Sequence, residues 1–278
     1  MISRHPVDRV KAENRTVRIS ESISKDLERA KTNPIGLNDA FGHARKLLGF
    51  QCVVDPTAQE PVTWERTILV NHIATAVFQA AKSTTENFEC RIGREEYTFP
   101  ASGATYYSSC SNWQVALWCA MICHDKQRIE TLVEIPNSVL MTEEVDDYVP
   151  YWINSLKSYW TTGRSGQFPR YLNEAAQRAD PDQISQSHPD YVNFILVPTM
   201  RLMARLGSGN VDAFNEALES AISMHKEFWS HPDNMNNPLG FIALGPLAVA
   251  AVAHTVGFTI SVESDYLPKY LVKGTWID

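Results

Sequence analysis

The residues whose types and spacing most directly suggest chemistry lie in one short stretch. CSNWQVALWCAMICHD, residues 110–125, combines three cysteines with a histidine and an aspartate, which are residue types that bind zinc or exchange disulfides. On a helix Cys119 and Cys123 share one face, and this supplies two of the four ligands of a structural zinc site. His124 points away from both thiols by about 100°. Because VALWCAMIC at 115–123 is apolar on every side, the stretch predicts a central core helix with buried thiols and no metal site.

Motifs of other catalytic classes do not occur in the sequence. It contains no second Cys/His pair at ligand spacing, C-x-x-C motif, G-x-S-x-G elbow, H-E-x-x-H pair, P-loop or G-x-G-x-x-G turn. His225 and His231 are six residues apart in HKEFWSH, a spacing that places them on different faces of a helix. We therefore expect two surface histidines near a helix end, no catalytic residue and no cofactor.

Carboxylates form the second group of candidate functional residues. No Lys or Arg occurs between Arg128 and Lys157, and this interval contains the segment MTEEVDDYVPYW at 141–152. A second interval without bases runs from Leu206 to His225. The acidic and aromatic candidates in the two intervals are Glu134, Glu143, Glu144, Asp146, Asp147, Tyr148, Tyr151, Asp212, Glu216 and Glu219.

These carboxylates have two interpretations. In the first, they are solvated acids. Those at 143–147 then stand at the N-terminus of a predicted helix and complement its dipole. Alternatively, they form a binding surface in which acids steer a basic partner and neighbouring aromatic rings supply contact energy. In either case we expect Glu143, Glu144, Asp146 and Asp147 to be exposed, so that their reversal to lysine leaves folding intact.

Charge and composition limit the classes of partner. The chain has 278 residues and a net charge of -7, but residues 1–31 hold eight Lys and Arg against five Asp and Glu. An acidic protein is a poor candidate for direct binding to nucleic acid or to an anionic membrane. The most apolar run, at 239–253, is shorter than the ~18–20 residues of a spanning helix, so it predicts a buried helix. We find no secretion signal and expect a cytoplasmic protein.

Apolar periodicity predicts a mainly helical chain. FECRIGREEYTFPA at 88–101 predicts a β-hairpin, and the ending at 258–272 predicts a further short strand. No linker divides the chain, so we expect a single irregular, α-solenoid-like domain over 1–278, with the basic segment 1–31 packed on it or flanking it. The predicted helices lie at 19–31, 36–54, 63–82, 105–124, 126–133, 145–161, 168–178, 190–206, 211–229 and 238–256.

Several long blocks resemble the immunity protein 49 family. They are WERTILV at 64–70, ECRIGREEYTFPASGATYYSSCSNWQVALWCAMICHDKQRIETLVEIP at 89–136, FNEALESAISMHKEFW at 214–229, FIALGPLAVAAVAH at 241–254 and VESDYLPKYLVKGTW at 262–276. The resemblance implies a mostly α-helical, cytoplasmic bacterial protein that binds the cognate toxin domain of a polymorphic toxin system. It implies no catalytic motif and no particular set of toxin-contacting residues.

Three functions remain open at this point. The first is a non-enzymatic inhibitor of a basic toxin, for which a nuclease is one candidate because its nucleic-acid surface is basic. The second is an all-α hydrolase that uses acids such as Glu134, Glu143 or Asp147, and it requires a concave pocket with two carboxylates roughly 5–10 Å apart. The third is a helical adaptor for another cellular protein. The sequence leaves the oligomeric state open.

Overall fold

Helices make up most of the chain, and the computed structural model describes residues 1–276. One two-stranded antiparallel sheet accompanies them in this part of the chain, which confirms the prediction of a mainly α fold with a small hairpin. The helices are α1 Arg9–Ala30, α2 Ile35–Val54, α3 Pro61–Lys82, α4 Cys110–Ile122, α5 Lys126–Val133, α6 Asn137–Leu140, α7 Tyr148–Thr162, α8 Phe168–Arg178, α9 Pro189–Tyr191, α10 Val197–Ser208, α11 Val211–Ser230, α12 Leu244–Thr255 and α13 Lys269–Lys273; the strands are β1 Asn87–Ile92 and β2 Glu95–Pro100.

The basic N-terminal segment is a long helix packed along α2. The Asp8 carboxylate caps α1 by accepting a hydrogen bond from the Lys11 N–H at 2.9 Å. Ala12 and Thr16 in the first half of α1 are buried, so the helix begins ten residues before the predicted start at 19. The apolar pattern missed these turns because their inward-facing side chains are small or polar.

The two ends of the chain meet, and the predicted C-terminal strand is reduced to one contact. Ile2 forms an isolated parallel bridge with Ser264, and no further strand is present at 258–272. Arg4 donates from Nε to the Phe241 carbonyl at 2.8 Å, and His5 Nδ1 lies 2.7 Å from the Tyr266 hydroxyl. The prediction of a strand there was wrong because the alternating residues of 258–272 pair with only this short segment.

The predicted hairpin is confirmed, with Phe88 opposite Phe99 and Ile92 opposite Glu95. Its turn is fixed to α3 because the Gly93 N–H donates to Nδ1 of His72 at 3.0 Å. Gly93 has φ +63°, a left-handed conformation that glycine adopts at little cost.

The centre of the molecule is built on α4 and α12, which pack against each other. In α4 every residue from Ala116 to Ile122 is buried, as an all-apolar helix requires. The window Pro238–Thr255 has a mean hydropathy of 1.6, long and apolar enough to cross a membrane, but 67% of it is buried inside the protein. It is divided into a 3-10 turn, Pro238–Phe241, and the twelve residues of α12, which agrees with the predicted buried helix.

A π-helical turn at Val192–Leu196 interrupts the helix predicted at 190–206. The Val197 N–H donates to the Val192 carbonyl, five residues back. Pro198 explains the irregularity, since a proline has no N–H for an i−4 bond and its ring would clash with the carbonyl four residues earlier. π-turns of this kind are frequent at functional sites, and this one lies against the cavity described next.

Candidate functional site

A cavity of about 570 Å³ lies beside α4, between α2, the π-helical turn and the C-terminal half of α11. Its volume is in the range of small-molecule sites, roughly 300–1,000 Å³. Residues 142–146, 148–149, 186–188 and 191 also line it. Most of its wall is apolar and is formed by residues such as Leu48, Trp118, Leu140, Ile195, Ile242 and Leu244.

Arg45 of α2 lies on the wall of this cavity with no acidic partner. Its Nη1 donates to Oδ1 of Asn112 at 2.9 Å, and its guanidinium lies 5.4 Å from the centre of the Phe41 ring. Among residues 1–276 no carboxylate forms a salt bridge with it within 4.0 Å. Burial lowers the pKa of Arg45 from 12.5, but a guanidinium keeps its charge in proteins. The cavity therefore contains a positive charge that no described acid neutralises.

Tyr191 lies on the same wall of the cavity. The residue is 37% exposed, yet burial raises the pKa of its hydroxyl, and the nearby Arg45 partly offsets this increase.

Asp146 is the first predicted site residue that the structure places differently from expectation. It is 4% exposed, and its carboxylate accepts hydrogen bonds from the backbone N–H groups of Ser185 at 2.7 Å, Gln186 at 2.9 Å and Ser187 at 2.8 Å. Burial raises the pKa of Asp146, but these hydrogen bonds and that of the Ser187 side chain outweigh it and lower the pKa from 3.8 to about 2. The expectation of an exposed acid was wrong here, and Asp146 instead fixes the loop 185–187.

Tyr148 and Tyr151 are also engaged within the protein. Tyr148 is 2% exposed, and its hydroxyl lies 3.0 Å from Oγ of Ser187. The Tyr151 ring is partly buried and lies 4.4 Å from the guanidinium carbon of Arg178. Tyr148 is therefore buried, whereas Tyr151 keeps part of its surface exposed beside Arg178.

The mouth of the cavity combines two predicted acids with two tyrosines that the sequence did not single out. Glu143 and Glu144 are exposed and line the cavity. Tyr106, 68% exposed, and Tyr191 line the same cavity. The only sequence signal for Tyr106 was its position in YYSS, a polar loop between the hairpin and α4.

The remaining acidic candidates do not line the cavity. Asp147 is exposed and follows the cavity-lining Asp146 in the sequence. Glu134 is exposed and forms a salt bridge of 3.1 Å with Lys82. Asp212, Glu216 and Glu219 are exposed on the N-terminal half of α11, and they form a second acidic surface on one face of that helix.

The thiols of α4 and one of the two candidate histidines are packed inside the protein. Cys119 is fully buried, and burial raises its pKa to about 12; burial likewise raises the pKa of Cys123 well above its usual value. His225, expected at the surface, is 4% exposed and donates from Nε2 to the Gly240 carbonyl at 3.0 Å. Burial lowers its pKa to about 3. The prediction for His225 was wrong because α11 turns this face toward the Pro238–Phe241 turn, and only His231 is exposed.

The arrangement is better suited to binding than to proton transfer. A general acid at neutral pH needs a carboxyl group with a raised pKa, whereas the buried carboxylate of this cavity, Asp146, is held ionised. Glu143 and Glu144 stand in solvent at the mouth. The cavity thus presents a mostly apolar wall that carries the Arg45 guanidinium, and an acidic, aromatic rim.

A model of the family described as immunity protein 49 matches residues 55–271. This segment covers most of the chain. The chain belongs to the immunity protein 49 family. No curated protein and no solved structure matches it.

Membership in immunity protein 49 assigns the chain an immunity role, in which it binds a cognate toxin. The matched segment begins at Asp55, so it includes the acidic rim of the cavity and all of α11. It does not include α1 or Arg45. The resemblance predicted from the sequence blocks is therefore confirmed over the part of the chain that holds most of the candidate surface.

Proposed function

We propose that this immunity protein neutralises its toxin by direct binding, and that the rim of the cavity is part of the binding surface. The observation that carries the proposal is the position of Glu143 and Glu144 on the same cavity mouth as the exposed Tyr106 and Tyr191. Acids and tyrosines grouped in this way are typical of protein interfaces, since charges steer the encounter and tyrosines supply contact energy.

The partner that fits this rim is a basic toxin domain. Opposite charge across an interface raises association rates by long-range attraction, which salt weakens. A toxin that acts on nucleic acid carries a basic substrate surface, so a nuclease-type toxin fits the rim well. We place the encounter in the cytoplasm, and in this proposal the immunity protein contacts neither nucleic acid nor a membrane directly.

The acidic face of α11 is the competing location for the same interaction. Asp212, Glu216 and Glu219 are exposed, but α11 itself carries no exposed tyrosine or tryptophan. We favour the cavity rim because it alone combines both kinds of residue.

The direct test is co-expression of this gene with its immediate gene neighbour, followed by growth measurement and affinity purification. We expect the neighbour to be toxic alone, growth to be restored with the immunity protein, and the two proteins to purify as a stable complex. A catalytically inactivated form of the neighbour is the matched control, since it is expected to bind without being toxic. Failure of rescue and of complex formation with a toxic neighbour would overturn the proposal.

A further inference from the structure

Arg45 offers an unpaired positive charge to a ligand in the cavity. The residue is partly exposed, so the N–H groups that do not bond to Asn112 remain available, and guanidinium groups of this kind pair readily with carboxylates. Here one of the guanidinium's five N–H groups reaches Asn112, and the surrounding wall is mostly apolar. A ligand that carries the missing negative charge would stabilise this arrangement.

Asp146 does not supply that charge. It lines the same cavity, but its two oxygens are occupied by the backbone of 185–187. No salt bridge within 4.0 Å joins it to Arg45. The two charged groups therefore mark different parts of the cavity.

We propose that the cavity binds a small organic carboxylate with a flat apolar body, and that Arg45 pairs with the carboxylate. A guanidinium presents parallel N–H groups that match the two oxygens of a carboxylate. The volume of about 570 Å³ accommodates a body of one or two fused rings. Trp118 and Tyr191, both on the wall, offer flat surfaces against which such rings pack.

The charges around the cavity restrict the ligand to a single negative charge. Glu143 and Glu144 at the mouth and Asp146 on the wall repel a polyanion such as a nucleotide. A monocarboxylate places its charge at Arg45 and its apolar body against the wall. The proposed toxin surface shares Tyr191 with this ligand site, but the test of the ligand site requires no toxin.

The test uses 2-naphthoate as the probe and 2-naphthamide, its uncharged analogue of the same shape, as the matched control. Isothermal titration calorimetry with the full chain is expected to show binding of naphthoate that is at least about tenfold tighter than that of the amide. Equal affinity of the two compounds, or no binding of naphthoate at millimolar concentration, would overturn the proposal. This comparison uses the unaltered protein, so it does not depend on any variant folding.

Two variants locate the site. Arg45→Gln is expected to remove the preference for naphthoate over the amide, whereas Arg201→Gln, at an exposed position of α10, is expected to leave it unchanged. Val115→Trp, which adds a large side chain on the cavity wall, is expected to weaken the binding of both compounds. Thermal unfolding of each variant confirms that it is folded. Naphthoate binding that is unaffected in both Arg45→Gln and Val115→Trp would place the carboxylate site elsewhere and contradict the proposal.

Discussion

The carboxylate of Asp146 accepts the backbone N–H of Ser187 at 2.8 Å across 41 residues of sequence. The Tyr148 hydroxyl lies 3.0 Å from Oγ of the same serine. These contacts fasten the loop 185–187 to the start of α7. The acids that remain outside, Glu143 and Glu144, are therefore presented on an ordered segment, which reduces the entropy lost when a partner binds.

The first prediction concerns this fastening. Asp146→Ala is expected to lower the free energy of unfolding by about 1–3 kcal/mol, because it leaves N–H groups of 185–187 without their acceptor. Urea denaturation measures the change. Asp147→Ala is the control, because Asp147 is exposed and its loss is expected to cost under about 0.5 kcal/mol. Equal stability of the two variants would show that the Asp146 contacts do not hold the loop. The same reasoning reverses the expectation that Asp146→Lys leaves folding intact.

The second prediction concerns toxin association. Reversing the exposed acids Glu143, Glu144 and Asp147 to lysine, with Asp146 kept, is expected to slow association with the toxin by about tenfold or more at low salt. The effect should shrink as salt is added, because mobile ions screen exposed charges. Surface plasmon resonance at several salt concentrations measures both changes.

The matched comparison for this experiment is reversal of Asp212, Glu216 and Glu219 on α11. Both variants change the net charge by six units, so a non-specific effect of charge would slow them equally. We expect the α11 variant to associate nearly as fast as the unaltered protein. The opposite ranking would move the interface from the cavity rim to α11.

The sequence predicted the helical class and the hairpin because these depend on local patterns. α4 was predicted from a run of nine apolar residues, and Gly93 ends β1 in a way that is visible in the sequence. The early start of α1 and the π-helical turn were missed. The first lacks a strong apolar stripe, and the second follows from Pro198 within a sequence that otherwise reads as a continuous helix.

The site was predictable only in part, because its residues depend on contacts between distant segments. Asp146 and Asp147 are adjacent acids, and no local pattern shows that one is buried against a loop about 40 residues later. Arg45 lies in the stretch GHARKLLGF of α2, where a basic residue is expected on the solvated face of the helix. Its position in a cavity arises from the packing of α4, α11 and the π-helical turn around it.

The third prediction concerns acid stability. Burial lowers the pKa of His225 from 6.5 to about 3, so between these values the unfolded chain binds a proton that the folded chain does not. Stability therefore falls as the pH drops below 6.5, with His225 contributing about 1.4 kcal/mol per pH unit. Urea denaturation at successive pH values is expected to give a shallower decline for His225→Gln. Part of the pH dependence should remain in that variant, because burial also lowers the pKa of His72, to about 4. The stability of His231→Gln, changed at an exposed position, should decline with falling pH as steeply as that of the unaltered protein. An equally steep decline for His225→Gln would contradict the lowered pKa of His225.

The fourth prediction concerns the thiols of α4. Cys119 is fully buried, so Cys119→Ser, which buries a hydroxyl, is expected to lower the free energy of unfolding by about 1–3 kcal/mol. Cys119→Ala introduces no polar group and should cost less. Ellman's reagent at neutral pH is expected to leave the cysteines of the native protein unmodified and to modify all five after denaturation. Rapid labelling of the native protein, or stoichiometric zinc in the purified protein, would contradict the interpretation of these thiols as core residues.

The fifth prediction uses two glycines of one helix as a matched pair. In α2, a Cβ on Gly49 would lie 2.0 Å from the Pro238 carbonyl oxygen, whereas a Cβ on Gly42 would meet nothing within 4 Å. Gly42→Ala is expected to raise the free energy of unfolding by about 0.5–1 kcal/mol, because alanine has the higher helix propensity. Gly49→Ala is expected to lower it by about 1–3 kcal/mol or more, because α2 and the Pro238–Phe241 turn must move apart. Since that turn leads into the cavity wall at Ile242, Gly49→Ala should also weaken naphthoate binding, while Gly42→Ala should not. Stabilisation by both substitutions would show that α2 and the turn are packed more loosely than these distances require.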